Sequence, residues 1–147
     1  MSVTTAEVAE IIRGVSTRVI DPGFRRLSPD QIHEKAPGDL VTDLDRQAEG
    51  ELSRLLTSAG GGIVVGEESV HDDASVLQEL PTAELAWVID PIDGTKNYVN
   101  GSTHHAVMVA EVQHGVTTRS WIWQPQLGHM WICLLYTSDA ADERSSV

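Results

Sequence analysis

A run of five apolar residues, Leu85-Ala86-Trp87-Val88-Ile89, stops abruptly at two carboxylates in Asp90-Pro91-Ile92-Asp93-Gly94-Thr95. A short apolar run of this kind suits a buried strand. The chain must therefore fold so that a core strand delivers two acids to one place. Like charges at short range repel and raise each other's pKa unless a cation lies between them. Pro91 fixes its own φ and removes a backbone donor, so the two side chains can be turned to one side. Gly94 allows close backbone approach, Thr95 adds a hydroxyl, and their amides can open a helix that faces an anion. Hard oxygen donors such as these suit Mg²⁺. They also suit an acidic turn that caps a helix, because Asp-Pro and Asp-Gly are common turn dipeptides. Spacing alone leaves both readings open.

Upstream, Val8, Ile11, Ile12, Val15 and Val19 recur at the 3–4 spacing of an amphipathic helix. Thr4 with Glu7 three residues later fits a capping box, and Asp21-Pro22-Gly23 supplies the stop. Residues 22–39, with Pro22, Pro29 and Pro37, read as loop. A second helix is predicted after Thr42, with an apolar face of Leu44, Ala48, Leu52, Leu55, Leu56 and Ala59, ended by Gly60-Gly61-Gly62. Asp39, Asp43 and Asp45 lie around its start, where they face the positive end of the helix dipole. Ile63-Val64-Val65 reads as a strand running into Gly66-Glu67-Glu68, with Glu68 expected on a solvated loop, and residues 67–84 as polar and irregular. Residues 106–112 and 116–123 are β-rich runs around a hairpin signal, Gln113-His114-Gly115, and Met130-Trp131-Ile132 opens a further strand. Trp121, Trp123 and Trp131 are read as strand and core residues. Two helices followed by several strands predict a layered α/β or α+β domain.

Composition narrows the function. The 147 residues suffice for one domain, and 22 acids against 10 bases give a net charge of −12. That argues against a nucleic-acid scaffold, which needs clustered Lys and Arg. The apolar runs are too short for a membrane-spanning helix, and the first residues lack the pattern of a signal peptide. One cysteine, Cys133, excludes an internal disulfide framework or a cysteine-based zinc site. The expectation is a soluble, cytoplasmic protein. The first eleven residues of segment 133–147 read as one frame of a transposase-type sequencing-library adapter. The expected boundary is therefore a natural segment 1–132 followed by a non-native tail, 133–147.

Taken together, three segments resemble the inositol monophosphatase family of Mg²⁺-dependent, lithium-sensitive phosphatases. Trp87 through Asn100 is similar to the family signature, Gly66-Glu67-Glu68-Ser69 to its second metal motif, and Asp39-Leu40-Val41-Thr42 through Asp45 to the start of its second helix. They stand in the family's order and at family-like spacing. The resemblance covers residues 1–132, roughly the N-terminal half of a family member. It implies two N-terminal helices packed on a largely antiparallel sheet, of the sugar-phosphatase type but truncated.

It also implies roles. Glu67, Asp90 and the Ile92 carbonyl would hold one Mg²⁺, and Asp90 and Asp93 would help hold a second. Thr95, bonded to Asp45, would orient or activate the attacking water. The amides of Gly94 and Thr95 would bind substrate phosphate, Asp93 would also touch the substrate, and Lys35 would be the basic residue of a mobile loop near the site. The implied partner is a small phosphorylated substrate, inositol phosphate or a related ester. Histidinol phosphate, adenosine bisphosphate and fructose 1,6-bisphosphate are the alternatives, and the full-length form could be a homodimer. A non-catalytic metal- or anion-binding module is the competing class. His104 and His105 depart from the pattern and are expected at the surface or a strand edge. The absent half is expected to leave Val107, Trp121 and Trp123 exposed.

Overall fold

A computed structural model describes residues 2–135; Met1 and residues 136–147 lie outside it, and with them most of the expected non-native tail. Helix α1 (Thr5–Val15) starts where Thr4 accepts a bond from the Glu7 amide, then runs on through a π turn (Ser16–Ile20) into the short α2 (Asp21–Gly23). Val8, Ile12, Val15, Val19 and Ile20 form its buried stripe.

Residues 22–39 are not all loop. Strands β1 (Ile32–Ala36) and β2 (Asp39–Thr42) form an antiparallel ribbon that pairs with no other strand among the described residues. β1 reads Ile-His-Glu-Lys-Ala and lacks apolar alternation, so its backbone ladder leaves no pattern to read. β2 runs straight into helix α3 (Asp43–Gly60), whose N-cap is Thr42 and whose buried face includes Ala48, Leu52 and Leu56.

The main sheet follows. It comprises β3 (Ile63–Gly66), β4 (Ala86–Asp93), β5 (Ala106–Gln113), β6 (Val116–Gln124) and β7 (His129–Leu134), in that spatial order. Only β3 and β4 are parallel; the other neighbours are antiparallel. Helix α4 (Glu67–Asp72) and a 3₁₀ turn (Ala74–Glu79) occupy the β3–β4 crossover, which is more ordered than its polar sequence suggested. Helix α5 (Thr95–Val99) follows β4. The β5–β6 hairpin turns at His114-Gly115, both at positive φ (49° and 81°), the requirement of a tight turn matched to strand twist. β7 continues two residues past Ile132 and pairs Cys133 with Ser120.

Side chains alternate across the strands and give the sheet two unlike faces. Trp87, Ile89, Val107, Val109 and Trp121 are buried in one core with α1 and α3, and Trp123 packs against it. Val107 and Trp121 are therefore not the exposed surface expected from a missing half. The uncovered face carries Val88, Met108, Ala110, Ser120 and Ile122 along an open cavity of about 580 Å³. Trp131, expected in the core, is 49% exposed because its register partner is Ile122, on that uncovered face.

Arg119 on β6 ties the N-terminus to the sheet. Its guanidinium donates to both Glu111 carboxylate oxygens, to Thr5 Oγ1 (3.0 Å) and to the Val3 carbonyl (3.0 Å), and stacks over Trp121. Burial works against an ionised Glu111, but the bonds from Arg119 and Thr118 hold its carboxyl below the usual range. Removing one partner of a buried pair strands the other. Arg119→Met is expected to cost about 3 kcal/mol in urea unfolding, whereas a loss under about 0.5 kcal/mol would mean that water replaces the guanidinium freely.

Candidate active site

The parallel register sets Gly66 opposite Ile89, so the chain leaves β3 at Glu67 directly beside Asp90. Gly66 caps α4 in an extended conformation. The Glu49 carboxylate from α3 reaches across to accept the amides of Glu68 (2.8 Å) and Ser69 (3.0 Å), satisfying donors that a helix start leaves free. A Cβ on residue 66 would lie 2.3 Å from the Glu49 carboxyl carbon, so only glycine permits this approach.

On β4 the pairing with β5 shifts between Asp90 and Asp93, a bulge at Pro91-Ile92 that re-aims the strand end. Gly94 then takes φ 86°, in the left-handed region, and α5 begins at Thr95. The Thr95 hydroxyl donates to Asp45 Oδ1 (2.9 Å), with the Ile92 carbonyl 3.0 Å away. Asp45 is fully buried, and its Oδ2 accepts the Thr42 amide (2.8 Å) and hydroxyl (2.6 Å). Burial pushes its carboxyl up, partly offset by these bonds from Thr42 and Thr95.

Glu67, Asp90, Ile92, Asp93, Gly94 and Thr95 line one cavity of about 240 Å³. Asp90 is the electrostatic centre: burial first, then Glu67 and Asp93, push its carboxyl up to about 9. Its Oδ1 is buried without a hydrogen-bond partner. An orphaned acid oxygen beside two further carboxylates and a carbonyl is a donor set that fits a hard divalent cation. Among the described residues no group of three or more His, Cys, Asp or Glu side chains is placed to hold a metal ion by itself. Mg²⁺ typically takes one or two carboxylates and keeps several waters, so a closed cage is not required.

The sequence profile of the inositol monophosphatase family matches residues 2–137. This chain belongs to that family. It is 33% identical over 108 residues to the fructose-1,6-bisphosphatase/inositol-1-monophosphatase of Aquifex aeolicus, covering 73% of this chain and 38% of the relative. It is 30% identical over 135 residues to inositol-1-monophosphatase ImpA of Mycolicibacterium smegmatis, covering 92% and 45%. Other relatives carry the name Nus factor SuhB. The fold matches a Staphylococcal inositol monophosphatase solved as a LiCl-soaked inhibitory complex, with TM-score 0.72, 16% identity, and coverage of 99% of this chain and 52% of that one. The chain thus spans less than half the length of these two curated relatives.

Lys35 lies on β1, not on a loop, with its side chain 6% exposed. Its ammonium is 3.3 Å from Glu68 Oε1 and 3.7 Å from Glu67 Oε1. Burial disfavours the ammonium, but Glu68 and Glu67 outweigh that and raise its pKa. Glu68, expected in solvent, is 3% exposed; burial raises its carboxyl against the pull of Lys35. The two histidines diverge as neighbours before a strand should. His104 is exposed, while His105 is buried against the Phe24 and Tyr98 rings, where burial lowers its pKa. Sequence reasoning missed Glu49, whose helical position carries no motif; the signal was Gly66 preceding two acids.

Without metal, Asp90 keeps a proton in the folded chain that it sheds when unfolded. The contribution of Asp90 to stability is then fully present below the ordinary carboxylate range and is lost as pH rises toward about 9. Asp90→Asn is expected to raise the melting temperature in EDTA at pH 8 by about 4 °C and to flatten this decline. An unchanged pH profile would refute the assignment.

Proposed function

We propose that this chain carries the nucleophile-orienting part of a Mg²⁺-dependent phosphomonoesterase site. The observation that supports it is the Asp45–Thr95 hydrogen bond set beside Glu67, Asp90 and Asp93 around one cavity. Glu67, Asp90 and the Ile92 carbonyl would hold one Mg²⁺, and Asp90 with Asp93 would help hold a second. When bound, such ions neutralise phosphoryl charge and acidify water.

The chain's own residues supply the rest. Thr95 donates a hydrogen bond to buried Asp45, which leaves hydroxyl lone pairs able to accept a hydrogen bond from water and aim that water's oxygen at phosphorus. The amides of Gly94 and Thr95 would bind phosphate oxygens, and Asp93, the exposed acid, would also meet the alcohol part of the substrate. Lys35 would add a positive charge behind Glu67. The products are inorganic phosphate and an alcohol. The substrate class is a small phosphate ester, with inositol phosphate first.

Among the described residues no helix is long and apolar enough to cross a membrane. We further propose, independently of that, that the reaction is cytoplasmic and that residues 133–147 are foreign to the natural chain. The missing length would supply a further ligand to the second ion and a wall of the substrate pocket.

Two outcomes are expected. In the full-length protein, Asp90→Asn lowers kcat by about 100-fold or more with the fold intact; near-normal turnover at saturating Mg²⁺ would overturn the reading. The 147-residue chain releases essentially no phosphate from inositol 1-phosphate, histidinol phosphate, adenosine bisphosphate or fructose 1,6-bisphosphate, with Mg²⁺ or with EDTA. Turnover comparable to complete relatives would show a self-sufficient enzyme. If the full-length protein also turns over none of these, the non-catalytic binding module is favoured.

A further inference from the structure

One ammonium is shared by two adjacent acids that differ in kind. Glu67 lines the cavity with a side chain 46% exposed, whereas Glu68 and Lys35 have side chains only 4% and 6% exposed. Lys35 has three N–H donors, and it lies closer to Glu68 (3.3 Å) than to Glu67 (3.7 Å). Glu68 Oε2 is buried and has no hydrogen-bond partner. That is a costly arrangement unless the atom acquires a donor in another state of the site. The Glu68 backbone is fixed by the hydrogen bond that its amide donates to the Glu49 carboxylate, so its own carboxylate has a stable base from which to receive one.

We propose that Glu68 is a positioning residue that takes Lys35 away from Glu67 when a divalent cation binds, with its orphaned Oε2 as the second acceptor. The inference rests on the metal reading above. In the metal-free chain Lys35 partly neutralises Glu67 and so competes with an incoming ion. A cation at Glu67 repels the ammonium, and a buried ammonium with nowhere to go would weaken that cation's binding. Glu68 provides the alternative: a small rotation of the lysine end puts two N–H groups on one carboxylate. Lys35 then stays buried behind Glu67, displaced but not expelled.

The test is Mn²⁺ binding to the 147-residue chain, read as loss of the free-ion paramagnetic resonance signal, for wild type, Lys35→Met, Glu68→Gln and the double variant. Glu68→Gln should weaken binding about tenfold, because Lys35 then stays on Glu67, and Lys35→Met should tighten it about threefold. With Lys35 already replaced, adding Glu68→Gln should change affinity by less than about twofold. Equal weakening in both backgrounds would overturn the proposal, because Glu68 would then act through its own charge or as a ligand. Should Glu68→Gln fail to fold by circular dichroism, Lys35→Met decides: unchanged or weaker Mn²⁺ binding overturns the proposal. A folded wild-type chain that takes up no Mn²⁺ overturns the metal reading and this inference with it, whereas wild-type uptake without coupling overturns this inference alone.

Discussion

Pairing β3 parallel to β4 brings two strand C-termini to the same edge of the sheet, with Gly66 opposite Ile89. Each strand then turns into a helix, α4 or α5, and each turn carries acids. A one-residue slip would rotate Asp90 onto the helix-covered face among Trp87 and Val109. The antiparallel strands β5 to β7 hold β4 in place, and α1 and α3 cover the apolar side, but the meeting of Glu67 with Asp90 comes from this one parallel pair.

The acids at that edge divide by what satisfies them. Glu49 receives two helix amides, and Asp45 receives Thr42 and Thr95. Both are internal acceptors whose charge is spread over backbone or hydroxyl donors. Asp90 and Glu68 each retain a buried oxygen with no donor. Ordinary folding stability does not favour such orphans. The distinction therefore sorts acids that build the site from acids that await something in it, and it separates Glu68 from Glu49 although both are buried glutamates in one contact network.

Much of this was legible in the sequence because it is local. The Thr42 cap, the α3 apolar face, the apolar run into Asp90 and the left-handed Gly94 all leave signatures within a few residues. What was not legible depends on partners far along the chain. Glu68 looked solvated because its burial comes from Lys35, 33 residues earlier. The β1–β2 ribbon is held by backbone bonds and carries polar residues on both sides. Which sheet face the tryptophans occupy follows from where α1 and α3 lie, so Trp121 is sealed and Trp131 is not. His105 is buried because Phe24 and Tyr98 enclose it.

The sheet's two faces have unequal duties. The side-chain hydrogen bonds to Asp45, Glu49 and Glu68 run between residues 35 and 95, whereas Glu67, Asp90 and Asp93 also line the cavity of the uncovered face beside Val88, Met108 and Ile122, and β5 pairs with Asp90 through Met108. A group resting on that face therefore sits against Glu67, Asp90 and Asp93 as well as against Val88, Met108 and Ile122. The bonds that place the acids are thus made within this chain, while the shape of the space in front of them is left to whatever covers the open face.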